Sequence, residues 1–284
     1  MRDKLCIDIG GTKTLIGLID SDSNIKESCR IKTSKDIKKF ARDLKIEVKK
    51  FKGRVACVNV SFAGRVDTQG KVILAPNLPK ELIGKNLIAM LNTGFKSVHI
   101  ENDAVCFCLN AMNTRKITSD RSGLAIVWGT GIGGAVILFG KILKIKGREK
   151  FGEIGHIQTF NTDSDIESLI GGKGFKPNFG NDGEHLYKLA SSGDKESIRK
   201  FREIGRLFGR YLLSLIYIFD PESIYIGGGV LNAWKFIKAG VEDIKFKNET
   251  VFSRVSNIYV SKDSYAMLKG AYFIDEKKNF IDKL

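Results

Sequence analysis

The sequence predicts an α/β protein with two duplicated mixed-sheet domains flanking a cleft. Three observations predict it. The run "IDIGGTKTLIG" (7–17) reads as strand, glycine turn, strand. The run "LAIVWGTGIGGAVILFGKIL" (124–143), about 120 residues later, repeats that pattern. Between and after the two hairpins, helical and strand periodicities alternate.

In order along the chain, Cys6, Ile7 and Ile9 suit a buried strand, and Leu15, Ile16, Leu18 and Ile19 suit its hairpin partner. A polar helix is expected over about 35–52, and a strand in "RVACVNVSFAG" (54–64). "KSVHIENDAVCFCLNAM" (96–112) passes from a strand into a helix, and "NTRKITSDRSG" (113–123) has the composition of a connector. Helical spacing of Ile198, Phe201, Ile204, Phe208, Leu212 and Leu215 marks a long helix that ends at Asp220-Pro221, where proline disfavours continuation. The strand "SIYIGGG" (223–229) follows. The expected lobes are 1–117 and 118–284, with the C-terminal helix "AMLKGAYFIDEKKNF" (266–280) able to pack on the first.

Composition narrows the function. At 284 residues and 43% hydrophobic content the chain is long enough for two cores. Five cysteines with no CxxC pair read as reduced, mostly buried thiols, and no apolar run has transmembrane or signal-peptide character. A cytoplasmic protein with no membrane partner is expected. The formal charge of +15 invites a nucleic-acid partner, but the lysines are dispersed among acids and strand residues, so a solvated surface and no nucleic-acid face are expected.

The glycine turns carry the chemistry. Gly10 and Gly11 let backbone amides approach a ligand, and Thr12, Lys13 and Thr14 add donors and a positive charge, a setting suited to phosphate. Gly129, Gly131 and Gly134 satisfy GxGxxG, yet a β-type run follows where a dinucleotide fold needs a helix, and no Walker sequence occurs. A phosphate hairpin with Thr130 remains, beside a plain structural turn. Glu101, Asn102 and Asp103 fall between a strand end and a helix start, where they can cap the helix or supply a carboxylate to deprotonate an alcohol. Glu153 and His156 in "GEIGHIQ" are close enough to bind neighbouring sugar hydroxyls, or stand as surface residues. The last cysteine, Cys108, lies far upstream, so no Cys/His zinc site is available around His156.

Taken in order, "DIGGTKT", "AGRVDTQGKVILAPNLP", "ENDA", "GTGIGG", "GEIGH" and "DPESIYIGGGV" resemble the six motifs of the ROK family of sugar kinases and repressors, over nearly the whole chain. That family lies in the hexokinase and actin-like ATPase superfamily, with a ribonuclease H-like fold in two lobes. The resemblance implies ATP and Mg²⁺ as cofactors and Asp103 as general base. It implies that Asn77, Asn102, Glu153 and His156 hold sugar hydroxyls and that Asp8 lies near Mg²⁺ through water. Gly10 to Thr14, with Gly129, Thr130, Gly131, Gly133 and Gly134, would cradle phosphates, and Gly227, Gly228 and Gly229 would line the adenosine side. A homodimer or homotetramer is implied as well.

Departures qualify it. The cysteine-rich zinc element that usually follows the GH is replaced by "HIQTFNTDSDIESLIGGKG", so no structural zinc is expected, while Glu167 matches the element's final acid and keeps a sugar contact. Ser61-Phe62 replaces the usual Gly-Pro near the expected sugar, which counts against strict glucose specificity. Only seven residues precede Asp8, so a repressor's DNA-binding domain is not expected. The implied activity is that of a glucokinase or broad hexokinase acting on the 6-hydroxyl. Kinases for fructose, N-acetylmannosamine or N-acetylglucosamine, and a non-catalytic sugar sensor, are the alternatives.

Overall fold

The computed structural model of the chain describes residues 3–91, 94–114, 122–143, 153–159, 163–276 and 280–281. It divides into two compact units, Met1–Thr114 with Ser264–Ile281, and Arg115–Asp263 with Asp282–Leu284. Most of the predicted connector, 115–121, lies outside the described residues.

In the first unit, β1 (Lys4–Ile9), β2 (Lys13–Ile19) and β3 (Ile25–Lys32) form a meander, followed by α1 (Ile37–Lys49) and β4 (Cys57–Phe62). A small ribbon, β5 (Arg65–Val66) and β6 (Val72–Leu74), and α2 (Leu87–Leu91) precede β7 (Ser97–Asn102) and α3 (Asp103–Asn113). The sheet order is β3-β2-β1-β4-β7, antiparallel across the meander and parallel from β1 to β4 to β7. Central strands enclosed on both faces need continuous apolar runs, and Leu5, Cys6, Ile7 and Ile9 are fully buried. The Asp36 carboxylate caps α1 by accepting from the amides of Lys38 and Lys39, and the helix buries Phe40, Leu44 and Val48 at four-residue spacing.

The second unit repeats this topology. Strands β8 (Gly123–Trp128), β9 (Ile132–Leu138) and β10 (Lys141–Leu143) form the meander, and β11 (Ser223–Gly227) and β12 (Asn257–Val260) the parallel extension. Their neighbouring order is β12-β11-β8-β9-β10, which matches the first sheet strand for strand. Helices α4 (Ile166–Ile170), α5 (Phe175–Phe179), α6 (Gly183–Ser191), α7 (Lys195–Phe219), α8 (Trp234–Lys247) and α9 (Glu249–Phe252) complete this unit. Of the six positions that predicted α7, five are buried, but Ile198 is exposed at the first turn. The helix ends where Asp220 turns left-handed before Pro221. The core centres on Trp128, which stacks on Phe208 at 4.1 Å and donates its indole N–H to the Ile170 carbonyl at 2.6 Å.

Helix α10 (Ala266–Ala271) returns to the first unit and packs on β1, β4 and α3. It is shorter than the predicted 266–280 helix, because a turn over 272–275 interrupts it, and 277–279 lie outside the described residues. Among the described residues no helix is long and apolar enough to cross a membrane. The approach of α10 to α3 depends on Gly270, where a Cβ would stand 1.7 Å from the Cys106 carbonyl oxygen. Gly270→Ala should therefore lower stability by about 1–3 kcal/mol or more, read as a lower denaturant midpoint; an unchanged midpoint would contradict this packing.

Candidate active site

In the first unit the β1–β2 turn holds Gly10 and Gly11, which face a narrow space. A Cβ on Gly11 would meet the Asn77 carbonyl oxygen at 2.6 Å, so only glycine permits this approach. The turn is clamped by hydroxyls: Thr33 Oγ1 donates to the Gly10 carbonyl at 2.8 Å, which leaves Thr14 Oγ1 to donate to Thr33 Oγ1 at 2.9 Å. Thr14 is fully buried in β2. Its single hydroxyl proton is thus engaged inside the turn. Thr12 is exposed, and Lys13, half-buried, exerts its charge on Asp8.

Asp8 lies near the end of β1 and accepts a hydrogen bond from Ser61 Oγ on β4 at 2.8 Å. Although neither residue is wholly buried, enclosure by the protein pushes the Asp8 carboxyl up to about 6 and that of Asp103 up to about 7. For Asp103 the negative charge of Asp8 adds to desolvation. Asp103 is the first residue of α3, and its Oδ1 accepts from the Ala104 amide at 3.0 Å. The cap is Asn102, whose side-chain carbonyl accepts from the Ala104 amide at 2.9 Å while its amide donates to the Gly64 carbonyl at 3.2 Å. Asn102 is the cap, and the Asp103 carboxylate shares the Ala104 amide with it.

Asn77 presents a buried side-chain oxygen with no hydrogen-bond partner. Such an acceptor costs free energy unless a ligand supplies a donor. Ser61 and Phe62, expected near the sugar, are instead fully interior: the hydroxyl serves Asp8 and the ring joins the core.

In the second unit the Gly129–Gly131 turn closes through the Gly129 amide and the Gly131 carbonyl at 2.9 Å, with Thr130 exposed. Space for a Cβ is open at Gly129, whereas at Gly131 it would strike the Glu167 carboxylate. That carboxylate accepts from the Ile132 amide at 2.7 Å, and the amides of Gly172 and Lys173 donate to the carbonyls of Gly129 and Thr130. The segment 167–173 therefore backs the turn. Gly133 and Gly134 lie in β9; Gly134 faces Ile154, where a Cβ would come within 2.1 Å, so its smallness permits this packing. Gly227 ends β11, Gly228 packs with positive φ against the Trp128 backbone, and Gly229 opens on free space. Glu153 is exposed just before the short 3₁₀ turn Ile154–His156. His156 Nδ1 pairs with Asp165 Oδ2 at 2.7 Å, and this bond raises the imidazole pKa.

Sequence reasoning missed Thr33, Asp165 and the bond from Ser61 to Asp8, each of which holds a predicted residue in place. Asp165 carried a local signal, since it also caps α4 by accepting from the Ser168 amide. Thr33 and Ser61 act across strand registers that no short motif reveals.

A family model described as the ROK family matches residues 4–264. The chain is 27% identical over 259 residues to N-acetyl-D-glucosamine kinase of Escherichia coli K12, covering 79% of this chain and 83% of that one. Among solved structures, it resembles a ROK family protein from Streptococcus pneumoniae in complex with sucrose, with a TM-score of 0.79, 23% identity, and 97% and 99% of the two chains covered. It also resembles a ROK family glucokinase from Streptomyces griseus in complex with glucose and AMPPNP, with a TM-score of 0.75, 22% identity, and 95% and 97% covered. At these identities the structures establish the two-lobed actin-like ATPase fold.

The His156–Asp165 pair yields a test. Replacing Asp165 by Asn removes the charged acceptor that favours the imidazolium, so the His156 pKa should fall toward its ordinary value of 6.5 in an NMR titration; an unchanged value would show that the pair does not form in solution.

Proposed function

The chain belongs to the ROK family, and from that membership we propose that it is an ATP-dependent hexose kinase whose first acceptor is the 6-hydroxyl of glucose. The observation that carries the reading is Asp103, held at the first turn of α3 and pushed up to about 7 by desolvation and by the charge of Asp8. A carboxyl titrating near the working pH is suited to general-base catalysis.

In this reading Asp103 takes the proton of the sugar hydroxyl as that oxygen attacks the γ-phosphorus, and ADP leaves. Asn77, with its unpartnered oxygen, accepts a hydrogen bond from a sugar hydroxyl. Asn102, Glu153 and His156 bind others, and Glu167 uses the oxygen that Ile132 does not take. The turns at Gly10–Lys13 and Gly129–Gly131 offer amides to the phosphates, and Gly227–Gly229 line the nucleotide. Positioning and charge stabilisation lower the barrier.

Magnesium suits the same residues. Asp8 and Asp103 are hard oxygen donors pushed up by desolvation, Asp103 also by the charge of Asp8, and a divalent cation would favour their ionised forms. Asp8 would hold Mg²⁺ through water, and the bound ion would neutralise phosphate charge. We infer a cytoplasmic homodimer or homotetramer acting on small molecules.

A coupled ADP-release assay with Mg-ATP across glucose, fructose, mannose, N-acetylglucosamine and N-acetylmannosamine tests the reading. Sugar-dependent turnover is expected, and Asp103→Asn should lower kcat by at least about 100-fold. Because a protonated Asp103 cannot accept the hydroxyl proton, kcat/KM should decline as pH drops below about 7. Absence of turnover with every sugar, from folded protein, would overturn the kinase reading and favour the sugar sensor. Best turnover with an N-acetylhexosamine would reassign the acceptor.

A further inference from the structure

The first sheet gathers a second set of ligating side chains, independent of the kinase reading. Cys6 pairs with Asn59, Cys57 with Ser97, and Asn59 with His99 across β1, β4 and β7. Strand alternation therefore puts Lys4, Cys6, Cys57, Asn59, Ser97 and His99 on one face. The turn after α10 brings Asp275 to that face, where its Oδ1 accepts from Lys4 Nζ at 2.6 Å and from Asn59 Nδ2 at 3.0 Å.

We propose that Cys57, His99 and Asp275 bind a divalent transition-metal ion of the zinc class. One ligand atom from each lies within 4.8 Å of the other two. Ligands of a tetrahedral zinc ion stand about 3.5 Å apart, so closure asks for side-chain movements of about 1 Å. Sulfur, imidazole nitrogen and carboxylate oxygen form a donor set that favours zinc over the hard ions magnesium and calcium.

The surroundings are those of a prepared site. Both bonds to Asp275 fall on one oxygen, which fixes the carboxylate and lets the other oxygen turn to the ion. Cys57 donates its thiol proton to Asn59 Oδ1 at 3.2 Å; on binding, that proton leaves to solvent and the thiolate takes the metal. Cys57 and His99 are half-buried and Asp275 is exposed, so an ion can enter from water. A bound ion would tie the turn after α10 to β4 and β7. This cluster belongs to the first unit, whereas the expectation of no structural zinc concerned the cysteine-free segment 157–167 of the second.

The test uses full-length protein stripped with EDTA, reduced, and titrated with Co²⁺ and then with Zn²⁺ in competition. One equivalent of Co²⁺ should produce a thiolate-to-cobalt charge-transfer band that Zn²⁺ abolishes. Cys57→Ser should remove the band, and His99→Gln and Asp275→Asn should each weaken Zn²⁺ binding by at least about tenfold. Circular dichroism of each variant separates loss of the site from loss of the fold, and the half-exposed His99→Gln carries the test if Cys57→Ser unfolds. No band in the wild type, or a band unchanged by Cys57→Ser or His99→Gln, would overturn the proposal.

Discussion

The first unit is organised around the enclosure of two like charges, Asp8 at the end of β1 and Asp103 at the start of α3. Desolvation raises both carboxyl groups, and the charge of Asp8 raises Asp103 further. The compensation is neutral or partial: the Ser61 hydroxyl on Asp8, the Ala104 amide on Asp103, the charge of Lys13, and the positive end of α3. What keeps the carboxylates there is the packing behind them. Strands β1, β4 and β7 run parallel, the first two with buried apolar residues and β7 with Val98 and Ile100 partly buried, and α10 presses on α3 so closely that Gly270 and the Cys106 backbone are in contact. Burial elsewhere offsets an electrostatic penalty that a bound cation would relieve.

The same topology is used twice with different means of shaping a glycine turn. In the first unit the turn is held from inside by a hydroxyl relay, Thr14 to Thr33 to Gly10. In the second, backbone amides of Gly172 and Lys173 and the Glu167 carboxylate support the turn from behind. Glu167 is therefore a positioning residue for the turn whatever else it touches, and this dual engagement follows from its place in α4, immediately before the glycines that reach the turn.

Much of this was legible in the sequence. The two hairpins, the passage from strand to helix at "HIENDAV", and the end of α7 at Asp220-Pro221 all rest on local signals: apolar runs, a cap residue, and a proline that cannot continue a helix. What was illegible depended on register. Thr14 shares strand parity with the buried Ile16 and Leu18, a signal of its interior position that the phosphate-like motif obscured. Ser61 and Phe62 were read within a strand near the expected sugar, and as the fifth and sixth positions of β4 both side chains are buried. The C-terminal stretch kept helical periodicity past Ala271, yet Asp275 bonds to Lys4 and Asn59, and no local pattern encodes a partner more than 200 residues away.

Asp103 is an enclosed carboxyl whose ionisation costs stability, a cost that the proposed general-base role would explain. Its folded pKa of about 7 lies above the 3.8 of an unperturbed carboxyl, so the folded state holds the proton more tightly. The penalty of ionising it builds as pH rises from about 4 and is complete above about 7. Thermal unfolding of the wild type and Asp103→Asn across pH 5 to 8, without nucleotide or metal, measures this directly. The account predicts that the variant is more stable by a few degrees at pH 8 and that its advantage shrinks as pH falls through 7. A variant that is less stable than the wild type at pH 8, or a difference independent of pH, would contradict it.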